Sequence, residues 1–98
     1  KGAIMKLSFE LDEEKAIANL KKHGVSFDEA TTVFTDPLSI TIHDPDHSTD
    51  EQRYIDIGSS DQGRVLVVIY AERGSNIRIV SSRKAIRSER KLYEEAND

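Results

Sequence analysis

Apolar residues along this chain change their period twice, and those changes divide it into elements. Leu7-Ser-Phe-Glu-Leu11 alternates apolar and polar positions, the period of a half-buried strand. Asp12 follows as a helix N-cap, with Glu13 and Glu14 in a first turn where the positive helix end favours acids. Ala16, Ile17 and Leu20 recur at helical spacing as an apolar stripe. Lys21, Lys22 and His23 fill the last turn, and Gly24 stops it. Ser26-Phe-Asp-Glu29 has capping-box spacing and opens a second helix, with Phe27, Ala30 and Phe34 as its buried face and Val33 at the edge. Asp36-Pro37 ends that helix, because a residue before proline is driven out of the helical region.

The period then returns to two. Leu38, Ile40 and Ile42 alternate, and so do Arg53, Ile55 and Ile57, with the polar turn region Asp44 to Asp50 between them. Gly58 to Gly63 reads as a hairpin loop. Val65 to Ala71 is a continuous seven-residue apolar run that suits a central strand covered on both faces or nearly so. Arg73-Gly74-Ser75 turns the chain into a fifth strand anchored by Ile77 and Ile79. A last helix is expected from about Lys84, with Ser82 as its cap and an apolar face of Ile86, Leu92 or Tyr93, and Ala96. The order β-α-α-β-β-β-β-α predicts one α+β domain over residues 1–98, with two layers: a mainly antiparallel sheet carrying helices on one face and leaving the other open. Residues 1–4, ahead of Met5, take no part in this reading; they are read as an appended remnant or an upstream start.

Composition sharpens the picture in two ways. With 33% charged residues in 98, a thin fold with much solvated surface is expected. The absence of cysteine excludes disulfides, thiolate nucleophiles and cysteine zinc sites, and fits a reducing compartment. With no apolar run of membrane-spanning length and no secretory segment, the expected location is the cytoplasm, without a membrane partner.

Charge changes the picture more. The chain is net −4, yet Arg73 to Lys91 holds seven basic residues (Arg73, Arg78, Arg83, Lys84, Arg87, Arg90, Lys91) against one acid, Glu89. A local excess of this size points to an anionic partner, and phosphate is the commonest anion that recruits arginine. An open sheet face bearing arginines is a surface on which nucleic acid can lie. Residues 1–50 carry five basic and ten acidic side chains, so that half is equally able to dock a basic partner.

Several segments resemble one family. Phe9-x-Leu-Asp-x-x-Lys15, Asn19-Leu-x-Lys-His-Gly-Val-Ser-Phe27 and Ala30-x-x-Val-Phe-x-Asp-Pro-Leu38 are similar to the front half of BrnT-type toxins. Asp44-Pro-Asp-His-x-x-Asp-Glu-x-Arg-Tyr54 and Ile79-x-Ser-x-Arg-Lys-Ala85, with Glu89 and Tyr93, resemble the back half, so the likeness runs from Leu7 to Glu95. The resemblance implies a toxin of a bacterial type II toxin–antitoxin system, with a RelE-like fold and a ribonuclease activity that halts translation. It implies a BrnA-like ribbon-helix-helix antitoxin as partner, contact with operator DNA only through that antitoxin, and an RNA substrate, free or on the ribosome. By the same resemblance Arg64, opening the central strand, and Arg83, closing the last one, match the two RelE arginines. Tyr93 matches the terminal RelE tyrosine, and Arg53 stands where RelE has lysines.

Metal-free RNA cleavage uses the neighbouring 2′-hydroxyl as nucleophile, so the enzyme must align it with phosphorus and stabilise charge growing on the phosphate oxygens. Arg64 and Arg83 are the expected clamp, since the guanidinium fork matches two oxygens at once. His23 is the natural proton carrier near neutral pH, although a cation is also at home at a helix C-terminus. Tyr93 either positions a nucleotide or packs the last helix, and Arg53 is an acid or a phosphate contact. Arg78, Lys84, Arg87 and Arg90 either track substrate or are solvated charges. No metal or other cofactor is implied: Asp44-x-Asp46-x-Ser48 with Asp50 fails the calcium-loop pattern at Thr49 and Ile55, and His43 and His47 flank a proline. The competing reading is a non-catalytic nucleic-acid- or protein-binding module, which predicts salt-sensitive binding without product. The antitoxin is expected over the basic face of residues 76–93.

Overall fold

A computed structural model of the chain describes residues 7–44 and 51–97. Its elements are β1 (Ser8–Glu10), α1 (Glu13–His23), α2 (Phe27–Thr32) with a 3₁₀ turn at Val33–Thr35, β2 (Ile40–His43), β3 (Gln52–Ser59), β4 (Val65–Arg73), β5 (Asn76–Lys84) and α3 (Arg87–Ala96). The five strands form one sheet in the order β1-β5-β4-β3-β2. β1 runs parallel to β5, and the other pairs are antiparallel.

Alternation along the strands assigns each side chain to a face. Leu66, Val68, Tyr70, Ile77 and Ile79 point into the main core, against Val25, Phe27, Ala30 and Val33 of the α1–α2 layer. Phe9, Phe34, Tyr70 and Tyr54 continue this core as a chain of ring contacts with centroids 4.8–5.6 Å apart. The opposite face carries Val65, Val67, Ile55, Ile57 and Ile40, and here Ala85 and Tyr93 pack against it. Helices therefore touch both faces: α1 and α2 cover one, and α3 closes one end of the other. The expectation of helices on a single face is corrected by Tyr93, whose ring carries α3 onto the second apolar cluster.

β1 is three residues long and pairs only with Asn76 to Arg78, so the rest of that edge of β5 has no strand partner among the described residues. Asn19 of α1 covers part of that edge. Its amide donates to the carbonyls of Ser82 (2.8 Å) and Val25 (2.9 Å) and accepts from the Ser82 N–H (3.1 Å), so one side chain completes a ladder that a strand would otherwise fill. At the other end, Gly58 of β3 lies beneath the 3₁₀ turn and Ser39. A Cβ there would stand 2.8 Å from the Ser39 Cβ and 2.9 Å from the Val33 Cγ1, which explains a glycine inside a strand.

Boundaries move where local chemistry overrides the pattern. β5 runs to Lys84, so Ser82 is a buried strand residue, and α3 starts at Arg87 with Ile86 as its N-cap. Glu89 serves the cap by accepting from the Ile86 N–H at 2.9 Å. Ser26 caps α2 through the Glu29 N–H at 3.0 Å, but Glu29 does not return the bond, because its carboxylate is held elsewhere. Of the α1 stripe, Ala16 joins the core whereas Ile17 and Leu20 are 61% and 52% exposed. Ile86 and Leu92 are likewise exposed, leaving Tyr93 as the α3 side chain in the second cluster.

Replacing Asn19 with alanine strands two carbonyls and an N–H, each buried group costing about 1–3 kcal/mol. Asn19→Ala is expected to lower stability by about 3 kcal/mol in urea unfolding, and Gly58→Ala by about 1–3 kcal/mol through overpacking.

Candidate functional site

The sheet register assembles a row of side chains on the face opposite α1 and α2. Arg53 pairs with Ala71, Ala71 with Arg78, and Arg78 with Glu10. Residues paired in this way share a face, and neighbouring strands lie ~4.8 Å apart. The Arg53 and Arg78 α-carbons therefore stand ~10 Å apart, on either side of Ala71, whose methyl group is fully buried and leaves the space above it to the arginines. The adjoining rows are Ser81-Ile69-Ile55-Ile42 and Arg83-Val67-Ile57-Ile40, an apolar shelf with Arg83 at its rim.

Arg78 and Arg83 share that face because of one extra residue. The β4–β5 ladder shifts register between Ile69 and Tyr70, which pair with Ser81 and Ile79 and leave Val80 as a bulge. Arg78 and Arg83 are five positions apart, so regular alternation would put them on opposite faces. The bulge brings both to the open side.

Acids from both sides of β5 in the chain hold these arginines. Glu89 takes a bidentate pair from Arg83 at 2.7 and 2.8 Å. Glu51 pairs closely with Arg78 and also lies 3.5 Å from Arg73, which approaches Glu10 at 3.5 Å as well. The Arg78 Nε is buried without a partner among the described residues, so Glu51 satisfies one arm of that fork only. Arg53 is half-buried.

Arg64 lies elsewhere. It precedes β4 and points to the helical layer. There its Nε donates to Glu29 at 2.9 Å, one terminal nitrogen makes a close ion pair with the other Glu29 oxygen, and a second bond reaches the Gly24 carbonyl at 3.2 Å. Ser60 donates to the same carboxylate at 2.7 Å. Glu29 is 4% exposed, so this cluster is a buried anchor between the β3–β4 turn and α2. The two arginines expected to form one clamp, Arg64 and Arg83, are thus on opposite sides of the sheet.

The remaining candidates divide. His23 is half-buried in the last turn of α1, and with Lys15, Lys22, Asn19, Val80 and Ser81 it lines a groove of about 280 Å³ along the β5 edge, next to the arginine face. Tyr93 donates its hydroxyl to Asp36 at 2.6 Å, and burial and that carboxylate push its phenol up to about 12. It therefore carries its proton throughout the neutral range and ties α3 to the 3₁₀ turn. Lys84, Arg87 and Arg90 are exposed; Arg87 and Arg90 line the outer side of α3 with Lys91 and Glu94. No group of three or more metal-ligating side chains occurs among the described residues. Asp46, His47, Ser48 and Asp50 of the polar turn lie outside them. Sequence reasoning missed Ala71, Glu29 and Glu51; only the small size of Ala71 at the end of an apolar run gave a signal.

Carboxyl shifts give the fold a defined pH response. The Arg64 hydrogen bond holds Glu29 below the usual range despite its burial, and Ser60 helps. Burial raises Asp36, but bonds from the Ser59 N–H, Tyr93 and the Leu38 N–H together outweigh it and lower the group. Arg83 lowers Glu89 against its burial. A carboxyl held lower in the folded state contributes stability above its unfolded value and loses it as pH falls through the folded one. Asp56 is the opposite case: burial pushes it up, against hydrogen bonds from Thr41 and Tyr70, so its ionisation costs stability as pH rises through its folded value. Melting temperature is expected to drop steeply below about pH 4. Glu29→Gln should flatten that acid limb. Asp56→Asn should melt at the same or a higher temperature at neutral pH. Thermal melts across pH check all three.

Comparison with known proteins then supplies the family. The family described as "Ribonuclease toxin, BrnT, of type II toxin-antitoxin system" matches residues 11–89. The crystal structure of the Brucella abortus ribonuclease toxin BrnT superposes with a TM-score of 0.61 at 22% identity, over 84% of this chain and 100% of that one, and so has a similar fold. A search of curated proteins by sequence finds no match. The match over residues 11–89 spans the helical layer, the whole meander and the start of α3, and on that ground the chain belongs to the BrnT family of ribonuclease toxins of type II toxin–antitoxin systems.

Proposed function

We propose that this chain is a metal-independent endoribonuclease that inhibits translation in the cytoplasm, works on the arginine face of a RelE-like sheet, and is neutralised by a BrnA-like ribbon-helix-helix antitoxin. The observation that carries the reading is the Arg53–Ala71–Arg78 row. Two guanidinium groups flanking a methyl-sized space can take the non-bridging oxygens of one phosphodiester between them. Arg83, at the rim of the shelf, holds the next phosphate. Ile42, Ile55 and Ile69, which are exposed or half-buried, offer an apolar floor for a base or ribose.

In this reading the 2′-oxygen attacks phosphorus, the bond to the 5′-oxygen breaks, and a 2′,3′-cyclic phosphate and a 5′-hydroxyl result. One proton leaves the 2′-hydroxyl and one reaches the 5′-oxygen. The arginines stabilise the added negative charge of the transition state and align the reacting atoms. His23, across the β5 edge, is the proposed proton carrier, since histidine is the side chain suited to passing protons near neutral pH. Arg64 and Tyr93 act by holding the scaffold: one anchors the turn ahead of β4, the other fixes α3. Phosphate contacts displace Glu51 and Glu89 from Arg78 and Arg83, so binding exchanges internal ion pairs for external ones.

Removing one donor to a developing oxyanion costs about 100-fold or more in rate. Arg53→Ala and Arg78→Ala are each expected to lower cleavage of purified RNA by about that factor per folded molecule. Arg64→Ala should melt at a lower temperature and yet cleave normally per folded molecule. Activity should survive EDTA, and induction in a bacterium should arrest growth with new RNA ends. Full activity in both face variants would overturn the site, and salt-sensitive binding with no product would identify a binding module.

A further inference from the structure

Three large apolar side chains of the helical layer face solvent together. Leu11, Ile17 and Leu20 are 38%, 61% and 52% exposed, and with Ala16 and Phe27 they line a groove of about 400 Å³ between α1 and α2. Glu13, Ala16, Ile17 and Leu20 fall at i, i+3, i+4 and i+7, the spacing at which one helix offers a continuous seam to another. Glu13 and Asp28, also lining the groove, set acids at its rim; each is exposed and in the first turn of its helix. Asp12 and Glu14 add two carboxylates beside them.

Nothing among the described residues consumes this surface. The core is built from the inner side of the layer through Ala16, Phe27, Ala30 and Val33, and the Ile17–Leu20 seam makes no contribution to it. A contiguous apolar patch with a polar rim marks an interaction site. Its charge selects the partner. Acids at the rim repel RNA and anionic lipid, and attract a segment with lysine or arginine beside its apolar anchors. The groove lies in the helical layer, on the far side of the sheet from the Arg53–Arg78 row.

We propose that this groove is the docking site of the antitoxin, which lays an amphipathic helix with basic flanks along α1 and leaves the arginine face uncovered at the point of contact. The inference rests on membership of a toxin–antitoxin family and on nothing specific to the cleavage mechanism. It replaces the expectation of an antitoxin over residues 76–93. There a basic segment would meet Arg53, Arg78, Arg83 and Arg87, and like charges at an interface are disfavoured.

The test is a titration of the purified chain with the purified antitoxin of its own operon. Wild type is compared with Ile17→Asp/Leu20→Asp and with Glu13→Lys/Asp28→Lys. All four positions are exposed, so the apolar pair is expected to melt as wild type does, and the charge pair slightly lower because each lysine replaces a first-turn acid. The apolar pair should weaken binding by about 100-fold. The charge pair should weaken it by about 10-fold and flatten its dependence on salt. In cells, both variants should still arrest growth, and co-expressed antitoxin should no longer rescue it. Binding as tight as wild type in both variants overturns the proposal. So does sedimentation in which the chain alone forms a dimer that Ile17→Asp/Leu20→Asp dissolves, since the groove would then belong to a second copy. A wild-type chain that cuts no RNA while antitoxin binding follows the expected order sinks the ribonuclease reading and leaves the docking site standing.

Discussion

The extra residue at Val80 is the constraint on which the arginine face depends. A strand alternates without exception unless a bulge resets it, and β5 carries its two open-face arginines five positions apart. With the bulge, Ile77, Ile79 and Ser82 stay in the core while Arg78 and Arg83 share the open side. The same bulge lies where β5 has lost β1 as a neighbour and relies on α1. Asn19 holds the backbone at Ser82, two residues beyond Val80, so the edge that bends is also the edge that is anchored. A regular β5 would have to bury one arginine against Val68 or Tyr70, at the cost of an unpaired charge in the core.

Counter-ions form the second layer of this arrangement. Along the chain the segment from Arg73 to Lys91 reads as seven bases and one acid. In space Glu51 and Glu10 stand beside Arg73, Glu51 beside Arg78, and Glu89 beside Arg83. The acids come from the residue ahead of β3, from β1 and from α3, and their carboxylates take the guanidinium donors that a bound phosphate would need. The face is thus stored as ion pairs that keep guanidinium groups ordered and prevent their mutual repulsion from opening the sheet. Both the Arg78–Glu51 and the Arg83–Glu89 pairs are half-buried, so a phosphate that displaces the carboxylates has to match the hydrogen bonds it replaces. Glu29 and Arg64 differ in kind: the carboxylate is buried and further held by Ser60, so that pair belongs to the scaffold.

Strand and helix periods made the class of fold legible. Ile55 and Ile57, the run from Val65 to Ala71, and the Asp12 and Ser26 caps all fall where the pattern sets them. Two things were not legible, for physical reasons. Periodicity marks an apolar stripe and does not say what will cover it, so Ile17 and Leu20 look like core positions in sequence although they face solvent. A bulge leaves no local signature in Ile79-Val80-Ser81, since Val80 fits a regular strand equally well. The arginines themselves were visible as a basic cluster, but their sorting was not. Arg64 and Arg83 each match a family pattern, and only the register shows that one turns to Glu29 and the other to the open face.

The two proposed surfaces follow from how unequally the layers are built. Among the described residues Ala85 and Tyr93 close the apolar cluster of the sheet's second face, and Tyr93 is held there by Asp36, so α3 packs at the Ile57–Val67 end and not on the Arg53–Ala71–Arg78 row. The helical layer has the opposite surplus. α1 must lie along β5 to place Asn19 on the edge, and that orientation turns Ile17 and Leu20 away from the core. A helix fixed by one buried amide cannot also rotate its apolar stripe inward. The exposed seam is therefore a consequence of edge capping, and a partner that covers it stabilises the one element on which the bent strand leans.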